Sequence, residues 1–320
     1  MFSLFLSFAA SRLVLGHEEK SFLGWMRANG QYFTGNEYQI RLGIYVSNSR
    51  YIAEFNKKDT TFKLGHNKYS CLTPAEYKSL LGNRQEIKPD QKLAKNVVKN
   101  LKAPESFDWR EKGVVNPIKD QAQCGSCWAF SATCTCESVY AIKTGQLLSF
   151  SEQNIVDCVS GCYGCSGGLP STAIDYVVSR QGGLFNSEED YPYTALDGTC
   201  VFDSSKGIGK VSSYTSVFFH SEIDLLNKVY ENGVVSVAID ASLESFHLYD
   251  GGIYQDSSCS SWFLDHAVAC VGYGSENGTD YWIVRNSWGT TWGEQGYIRM
   301  LRGSFTNMCG IASQAIVAVY

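Results

Sequence analysis

The sequence predicts an α+β protein whose N-terminal part is helical and whose C-terminal part is built from strands. Three observations support this prediction. In residues 36–56, apolar side chains recur mainly at three- and four-residue spacings, which is typical of one face of a helix. Residues 127–145 also have a helical pattern. Beyond residue 210, short apolar runs alternate with turn residues, as they do in strands.

The composition is that of a globular protein. Of the 320 residues, 44% are hydrophobic and 18% are charged, which leaves room for one large domain or two smaller ones. The formal net charge is −5, and the second half of the chain has no polybasic block. A surface that follows nucleic-acid phosphates is therefore not expected.

The N-terminal residues 1–16, MFSLFLSFAASRLVLG, resemble a signal peptide, with cleavage after Ala9, Ala10 or Gly16. Arg12 interrupts the apolar run and no basic residue precedes it, so a buried N-terminal helix is the alternative. No segment supplies the roughly 20 apolar residues of a membrane span.

Eleven of the twelve cysteines lie at or after Cys124, which indicates an oxidising compartment. We therefore expect a soluble, exported protein.

Residues 17–81 are predicted to be helical. Ile40, Ile44, Ile52 and Phe55 would form the apolar face of the main helix in this segment.

A second short helix is predicted in LTPAEYKSLL, with Thr73 as its N-cap and Pro74 in its first turn. Residues 82–102 contain no aromatic residue and have basic side chains scattered along them. They are predicted to form an exposed linker that is open to proteolytic cleavage.

The main part of the chain begins near Ala103. The predicted helix over residues 127–144 is followed by Gly145, a residue that favours helix ends. The predicted strands are VVSVAID, HAVACVGYG, DYWIVRNSW, GYIRM and QAIVAVY. Asn277-Gly278 separates two of them and predicts a hairpin. The helix-rich half therefore covers about residues 103–212, and the strand-rich half covers residues 213–320.

The stretch QAQCGSCWAF, residues 121–130, has two cysteines three positions apart and allows three interpretations. Cys124 and Cys127 could join Cys162 and Cys165 in a zinc site, but the two pairs are too far apart and a full helix lies between them. A redox pair would need a preceding buried strand, which is not evident. The third interpretation makes Cys127 a nucleophile, because a helix N-terminus stabilises a thiolate. We therefore expect neither a metal nor a cofactor.

A nucleophilic cysteine needs a base, and three histidines follow residue 103. His266 begins the apolar strand of LDHAVACVGYG and is the candidate base. His220 and His247 are predicted to lie in exposed turns or short helices. Asn286 follows in YWIVRNSWGTTWGEQGY and could orient the imidazole of His266.

QAQCGSCWAF, DHAVACVGYG and NSWGTTWGEQGY resemble the three signature blocks of the papain-like cysteine peptidases. In addition, EYQIRLGIYVSNSRYIAEFN resembles the helical motif of that family's propeptide, in the subgroup similar to cathepsin L. The matching positions are Glu37, Arg41, Asn48, Ile52 and Asn56, with Tyr45 where phenylalanine is usual. The resemblance implies a signal peptide over 1–16, an inhibitory propeptide over 17–102 and a mature peptidase over 103–320. It also implies a two-lobed fold, with a helical left lobe and a right lobe similar to a β-barrel.

The resemblance implies a role for each residue of the site. Cys127 would attack the peptide carbonyl, and His266 would be its ion-pair partner and the acid for the leaving amine. Asn286 would orient His266, and Trp288 would shield that contact from water. The side chain of Gln121 and the backbone N–H of Cys127 would bind the oxyanion.

The resemblance also implies a disulfide framework. The pairs would be Cys124–Cys165, Cys158–Cys200 and Cys259–Cys309. Cys134, Cys136 and Cys270 lie in apolar surroundings and are expected to be buried thiols. Cys162 lies in a glycine-rich loop and has no assigned partner.

Substrate would bind in a groove between the lobes, where Gly167 and Gly168 would offer backbone hydrogen bonds to an extended peptide. Leu169, Pro170, Ala238 and Leu264 match the walls of the family's main hydrophobic pocket, and Gln314 matches its floor. This pocket predicts Leu, Val or Phe two residues before the scissile bond, while the neutral Gln314 would tolerate arginine there. Plain core packing is the alternative role for these apolar residues. The short spacing of Cys158 and Cys165 leaves no room for the occluding loop of cathepsin B. Endopeptidase activity is therefore favoured over the removal of dipeptides.

One departure from the family pattern lies in GHNKYSC, residues 65–71, where Cys71 replaces an aspartate that is linked to acid-triggered release. We therefore expect weaker pH control of maturation, to which Cys71 could add a redox component.

The rival interpretations are a catalytically silent homologue and a released propeptide that inhibits related peptidases. The expected partners are protein or peptide substrates and the propeptide itself, in a monomer of a lysosome-like compartment or the extracellular space. Asn277 begins a glycosylation sequon.

Overall fold

The computed structural model describes residues 14–84, 103–303 and 307–320. The predicted signal peptide before residue 14 and the predicted linker from residue 85 to residue 102 lie outside the described residues. The described part has the predicted order, with helices first and strands toward the C-terminus. Among these residues, no helix is long and apolar enough to cross a membrane.

Two helices open the described chain, α1 (Gly16–Ala28) and α2 (Gly35–Asn56). They pack through a small aromatic core in which Phe22 and Trp25 contact Tyr45, with ring centroids 5.4 and 5.8 Å apart. The predicted apolar face of α2 was partly wrong, because Ile40 is 55% exposed. The buried apolar residues of α2 are Leu42, Tyr45 and Val46.

The prediction of helix throughout residues 17–81 was also wrong at one point, because Phe62–Leu64 forms a strand, β1. It pairs antiparallel with β5 (Tyr249–Tyr254), which ties the N-terminal segment to the main sheet. The helix α3 (Pro74–Leu80) follows. Its predicted cap is present, since the Thr73 hydroxyl accepts the backbone N–H of Glu76.

The main part contains five α-helices and eight strands within the described residues. The helices are α4 (Cys127–Thr144), α5 (Glu152–Cys158), α6 (Pro170–Arg180), α7 (Glu222–Glu231) and α8 (Glu244–His247). The strands are β2 (Phe107–Asp108), β3 (Ser213–Ser216), β4 (Val235–Ile239), β5, β6 (His266–Glu276), β7 (Thr279–Arg285), β8 (Tyr297–Leu301) and β9 (Ala315–Val319). The sheet order is β1-β5-β8-β7-β6-β4-β9-β3, with β2 paired to β6.

The five predicted runs correspond to the strands β4, β6, β7, β8 and β9 of the sheet. All the pairs are antiparallel except β5 with β8. The predicted hairpin joins β6 to β7, and both Asn277 and Gly278 have positive φ angles, of 52° and 78°. Two successive residues with positive φ are what a tight primed turn needs, and Asn-Gly supplies them with little strain.

Helix α4 lies at the centre of the main part. It contacts the helices α5 and α6 on one side and the strands β4, β6 and β9 on the other. Most of its residues are buried, which agrees with its apolar composition on all faces. Since β6 runs against α4, the first residue of the helix, Cys127, comes close to the first part of the strand, where His266 lies.

Three disulfides join Cys124 to Cys165, Cys158 to Cys200 and Cys259 to Cys309, which are the pairs that the resemblance implied. The thiols of Cys71, Cys134, Cys136 and Cys270 are free and buried, and that of Cys162 is free and half-buried. Because Cys124 is bonded to Cys165, the zinc interpretation loses two of its four ligands, and the redox interpretation loses the partner of Cys127. Cys127 is left as the free thiol of the pair.

Candidate active site

The thiol of Cys127 lies at the N-terminus of α4 and is fully buried. Its Sγ accepts two backbone N–H groups, from Ala267 at 3.4 Å and from Gly82 at 3.3 Å. Ala267 directly follows His266, so the candidate nucleophile and the candidate base lie on facing elements. Gly82 belongs to the N-terminal segment, which therefore reaches the thiol of Cys127 itself.

The hydrogen bonds of Asn286 fix the tautomer of His266. The backbone N–H of Ser287 donates to Oδ1 of Asn286 at 2.8 Å, so this atom is an acceptor. Nε2 of His266 lies 2.8 Å from the same oxygen and must carry its own proton. The other ring nitrogen, Nδ1, is buried with no hydrogen-bond partner in the described structure, and its lone pair is free to accept a proton.

Trp288 covers the contact between His266 and Asn286. Its ring centroid lies 4.9 Å from that of His266, and its side chain is fully buried. On its other side, the indole makes edge contacts with Tyr69 and Tyr77 of the N-terminal segment. The position of Trp288 suits the shielding role that the sequence suggested.

The side chain of Gln121 is oriented by its own hydrogen bonds. Its Oε1 accepts the hydroxyl of Ser287 at 2.6 Å, so Nε2 is the donor atom of the amide. That Nε2 donates to the carbonyl oxygens of Cys124, at 2.7 Å, and of Leu80, at 2.9 Å. The carbonyl oxygen of Leu80, in the N-terminal segment, thus accepts a hydrogen bond from the amide that would face a substrate oxyanion.

The buried environment keeps the thiol and the imidazole uncharged. Burial raises the pKa of Cys127 to about 11, although the N–H groups of Ala267 and Gly82 act in the opposite direction. Burial also lowers the pKa of His266 to about 4, against a smaller rise from the bond to Asn286. At neutral pH both groups are therefore neutral while the N-terminal segment covers them.

The segment over residues 80–84 fills the cleft between α4 and the strands. Gly168 donates its N–H to the carbonyl of Gly82 at 2.8 Å and accepts the N–H of Arg84 at 3.1 Å. The approach is so close that a Cβ at Gly82 would lie 1.8 Å from the carbonyl oxygen of Gly125. A Cβ at Gly167 would meet Gly82 and Arg84 in the same way, at 2.7 Å. Gly168 therefore forms the backbone hydrogen bonds to this segment, and the absence of a side chain at Gly167 leaves room for Gly82 and Arg84.

The predicted specificity pocket holds Asn83. Its Nδ2 donates to the carbonyl of Leu264 at 2.9 Å and to Oε1 of Gln314 at 3.1 Å. Behind Gln314 lies a cavity of about 180 Å³, which Pro170 and Ala238 also line. Leu169 is half-buried and does not line this cavity. Four of the five predicted pocket residues thus meet around Asn83 or the space behind it.

Two expectations from the sequence need correction at this site. Gly82 and Asn83 were assigned to an exposed linker, but both are buried because the cleft and its pocket enclose them. No apolar pattern marks a segment that binds mainly through its backbone. Only Gly82 itself, directly after a helix, could have hinted at a close approach.

His247 was expected on the surface, but it is only 6% exposed, because Tyr77 of the N-terminal segment covers its ring. His220 is half-buried in a turn with a φ angle of 60°, where it stacks on Phe219. Neither histidine contacts Cys127. His266 is the histidine that the fold brings beside the thiol.

Comparisons with known proteins agree with this architecture. The family profile "Papain family cysteine protease" matches residues 103–319, and the profile "Cathepsin propeptide inhibitor domain" matches residues 22–77. Since the first match alone covers more than half of the chain, this protein belongs to the papain family of cysteine proteases.

The relatives place it near the cathepsin L-like members of that family. "Cysteine proteinase 3" of Dictyostelium discoideum is 43% identical over 98% of this chain and 95% of its own length. "Cathepsin L-like proteinase" of Fasciola hepatica is 42% identical over 94% of each chain. The structure of digestive procathepsin L2 proteinase from Tenebrio molitor larval midgut covers 95% of this chain and 100% of its own, with a TM-score of 0.85 and 35% identity. The predicted papain-like fold is thus confirmed, and the chain is a cathepsin L-like zymogen whose N-terminal segment is an inhibitory propeptide.

Proposed function

We propose that this protein is a cysteine endopeptidase in which Cys127 and His266 carry the reaction. The observation that supports this most is the tautomer of His266, whose bare Nδ1 is buried beside the elements that hold the thiol. In the free enzyme, Nδ1 would take the proton of Cys127, giving a thiolate and an imidazolium. The thiolate would attack the peptide carbonyl, and the imidazolium would protonate the leaving amine. Water would then release the acyl group from Cys127.

Gln121 would bind the oxyanion of the tetrahedral intermediate together with the backbone N–H of Cys127. The hydrogen bond from Nε2 of Gln121 to the carbonyl of Leu80 supports this role, because the same donor already binds a carbonyl oxygen in the zymogen. Asn286 would hold the imidazole in place, and Trp288 would keep water from their hydrogen bond. Losing one oxyanion donor typically slows such reactions by about 10²–10³.

The substrate would be an extended peptide bound along Gly167 and Gly168. Leu, Val or Phe two residues before the scissile bond would enter the pocket of Leu169, Pro170, Ala238, Leu264 and Gln314. The amide of Asn83 in that pocket supports the further expectation that Gln314 tolerates a polar or arginine side chain. A peptide series that varies only this position would show the highest kcat/KM for leucine, and equal values for glycine and leucine would refute the pocket assignment.

We also propose that residues 1–16 form a signal peptide, residues 17–102 the propeptide and residues 103–320 the mature, monomeric peptidase. The three disulfides support export through the secretory pathway, to a lysosome-like compartment or the extracellular space. N-terminal sequencing of the secreted zymogen and of its processed form would locate both cleavage sites. A start of the mature chain far from Ala103 would contradict this division.

The decisive experiment measures hydrolysis of a fluorogenic Phe-Arg peptide by acid-activated protein. Cys127→Ala and His266→Ala should lose all measurable activity, and a thiol-directed epoxide should inactivate the unaltered enzyme. His220→Ala is the matched control and should retain activity, because that ring lies outside the cleft. A folded, propeptide-free protein without activity would instead favour the silent homologue, a binding protein that has kept the residues of the site.

A further inference from the structure

Two histidines lie where the propeptide binds to the peptidase. His247 ends α8 of the peptidase, and His66 lies in the docking segment, which we define as residues 65–71 of the propeptide. This segment is bonded to the peptidase directly beside His247. The N–H of Gly65 donates to the carbonyl of Leu248, and Nδ2 of Asn67 donates to the carbonyl of His247, both at 2.8 Å.

His66 connects the docking segment to α2. Its ring stacks on Tyr45 with the centroids 4.1 Å apart and the planes within 12°. The hydroxyl of Ser49 donates its single proton to the carbonyl of Tyr45, so it must accept from Nε2–H of His66, at 2.8 Å. Nδ1 of His66 is buried and has no hydrogen-bond partner in the described structure. A second proton on this ring would therefore be a buried, unpaired N–H with a positive charge.

His247 connects the docking segment to the peptidase. Its Nε2 lies 3.0 Å from the carbonyl oxygen of Tyr69, and since a carbonyl only accepts, this nitrogen carries a proton. The neutral ring therefore has its bare lone pair on Nδ1. The ring of Tyr77 stacks on it at 4.2 Å and excludes water from that face. A second proton would charge an imidazole that is enclosed between the two chain segments.

The charged groups around the two rings do not offset this cost. Lys68, Arg50 and Asp250 belong to the segments that adjoin His66. Glu244 shares α8 with His247, and Asp240 and Asp265 lie near Tyr77, whose ring stacks on that histidine. Lys68 pairs with Asp120, Arg50 pairs with Glu18, and Asp250 lies against Gly65 on the exposed side of the segment. Asp240 and Asp265 act on the hydroxyl of Tyr77. Burial dominates, and it lowers the pKa of both histidines to about 4.

We propose that His66 and His247 form an acid-sensitive contact that holds the propeptide on the peptidase at neutral pH and releases it when both rings become protonated. The inference rests on the inhibitory role of the propeptide and adds the groups that sense the acid. It also answers the question raised by Cys71, since two imidazoles can supply the pH response that an aspartate at position 71 would otherwise provide.

The direction of the effect follows from proton linkage. The docked histidines have a pKa near 4, below the ordinary value of 6.5, so the released state binds protons more readily. Docking is therefore most stable above pH 6.5 and weakens as the pH falls from 6.5 toward 4. Carboxylates in the propeptide act in a different range. Glu76 has a pKa of about 2 because of its bond to Arg41, and its contribution is lost only below its ordinary value of 4.5.

The test uses the full-length Cys127→Ala zymogen, which cannot process itself, so its result does not depend on peptidase activity. Hydrogen exchange in residues 65–84 would be measured between pH 7 and pH 4.5 and corrected for the intrinsic effect of pH. We expect opening of this region to increase by roughly 10- to 40-fold for each histidine between pH 6.5 and pH 4.5. His66→Gln together with His247→Gln should remove most of that increase, because glutamine keeps a donor but does not titrate.

His17→Gln is the matched control, since His17 is an exposed propeptide histidine on α1. It should open like the parent protein at every pH. If the glutamine pair does not fold, His66→Phe with His247→Phe keeps the stacked rings and should give the same flat profile. An unchanged pH dependence in a folded double variant would overturn the proposal.

Discussion

At the scale of single residues, Gly82 shows how closely the propeptide approaches the thiol of Cys127. Its N–H is bonded to Sγ of Cys127, and its Cα faces the carbonyl of Gly125 with no room for a side chain. Next to it, Asn83 fills the pocket with an amide that satisfies two acceptors. Inhibition is therefore achieved by backbone fit at one residue and by hydrogen bonding at the next.

Gly82→Ala should open the cleft of the zymogen. The added Cβ would lie 1.8 Å from a backbone oxygen that cannot move aside easily, so the segment over residues 80–84 must leave its position. We expect a thiol-directed epoxide to label Cys127 in the unprocessed variant at neutral pH at least about tenfold faster than in the parent zymogen. This factor corresponds to a decrease of about 1.4 kcal/mol in the free energy of opening the cleft.

Gly43→Ala is the control for this substitution. Gly43 lies on the exposed side of α2 with nothing near its Cβ position, and alanine there favours the helix. Its labelling rate should equal that of the parent. Equal labelling of the Gly82→Ala zymogen and the parent would mean that the segment tolerates a side chain.

At the scale of elements, the propeptide has its own small core between α1 and α2, and Cys71 belongs to it. The thiol is 3% exposed and its pKa is raised to about 12 by burial, so it has no thiolate for redox chemistry near neutral pH. Its carbonyl accepts Nη1 of Arg41, the same guanidinium that pairs with Glu76. A carboxylate at position 71 would therefore lie close to an existing ion pair.

Cys71→Asp should make propeptide release more dependent on acid. The new carboxylate would be stabilised by Arg41 near neutral pH and would lose that attraction when protonated, so processing should rise more steeply below about pH 5 than in the parent. The rate of processing across pH measures the change, and Cys71→Asn is the control of similar size that does not titrate. Identical profiles for all three proteins would refute a role of this position in pH control.

In the main part, the sequence predicted the helix α4 and the strands β4 and β6 to β9, but it did not single out the other helices or the strands β2, β3 and β5. The elements of the propeptide were also predicted only in part. The cap at Thr73 and the turn at Asn277-Gly278 are local chemistry, and both occur as predicted. The strand β1 was missed because its three residues form a strand only through pairing with β5, which lies far along the chain. The buried face of α2 was misassigned because the partner helix α1, and not the spacing alone, selects it.

At the scale of the whole molecule, the disulfides divide between the two halves. Cys124–Cys165 and Cys158–Cys200 lie in the helix-rich half, and Cys259–Cys309 closes a loop with a sequence separation of 50 in the strand-rich half. This last bond joins the segment before Leu264 to the turn before β9, two parts of the chain that flank the predicted pocket. It should therefore stabilise the half that carries His266 and Asn286.

Replacing Cys259 and Cys309 together by serine should lower the free energy of unfolding by about 2–4 kcal/mol, because the unfolded chain regains the freedom of a long loop. Denaturant unfolding of the full-length Cys127→Ala zymogen measures this loss. Cys162→Ser is the control, since Cys162 is a half-buried free thiol and should change stability by less than about 1 kcal/mol. A loss in the control as large as in the double variant would contradict the assigned disulfides.

The sequence by itself indicated the family and the candidate nucleophile, base and orienting amide, because the blocks around Cys127, His266 and Asn286 are local patterns with a fixed order. Only the tertiary structure decided which nitrogen of His266 is free, since that depends on Ser287 and Asn286 together. It alone also placed Asn83 against Leu264 and Gln314 and buried His247 under the propeptide. These contacts join residues that lie 178 to 231 positions apart in the chain or use backbone atoms that every residue shares, so no local pattern of side chains could reveal them.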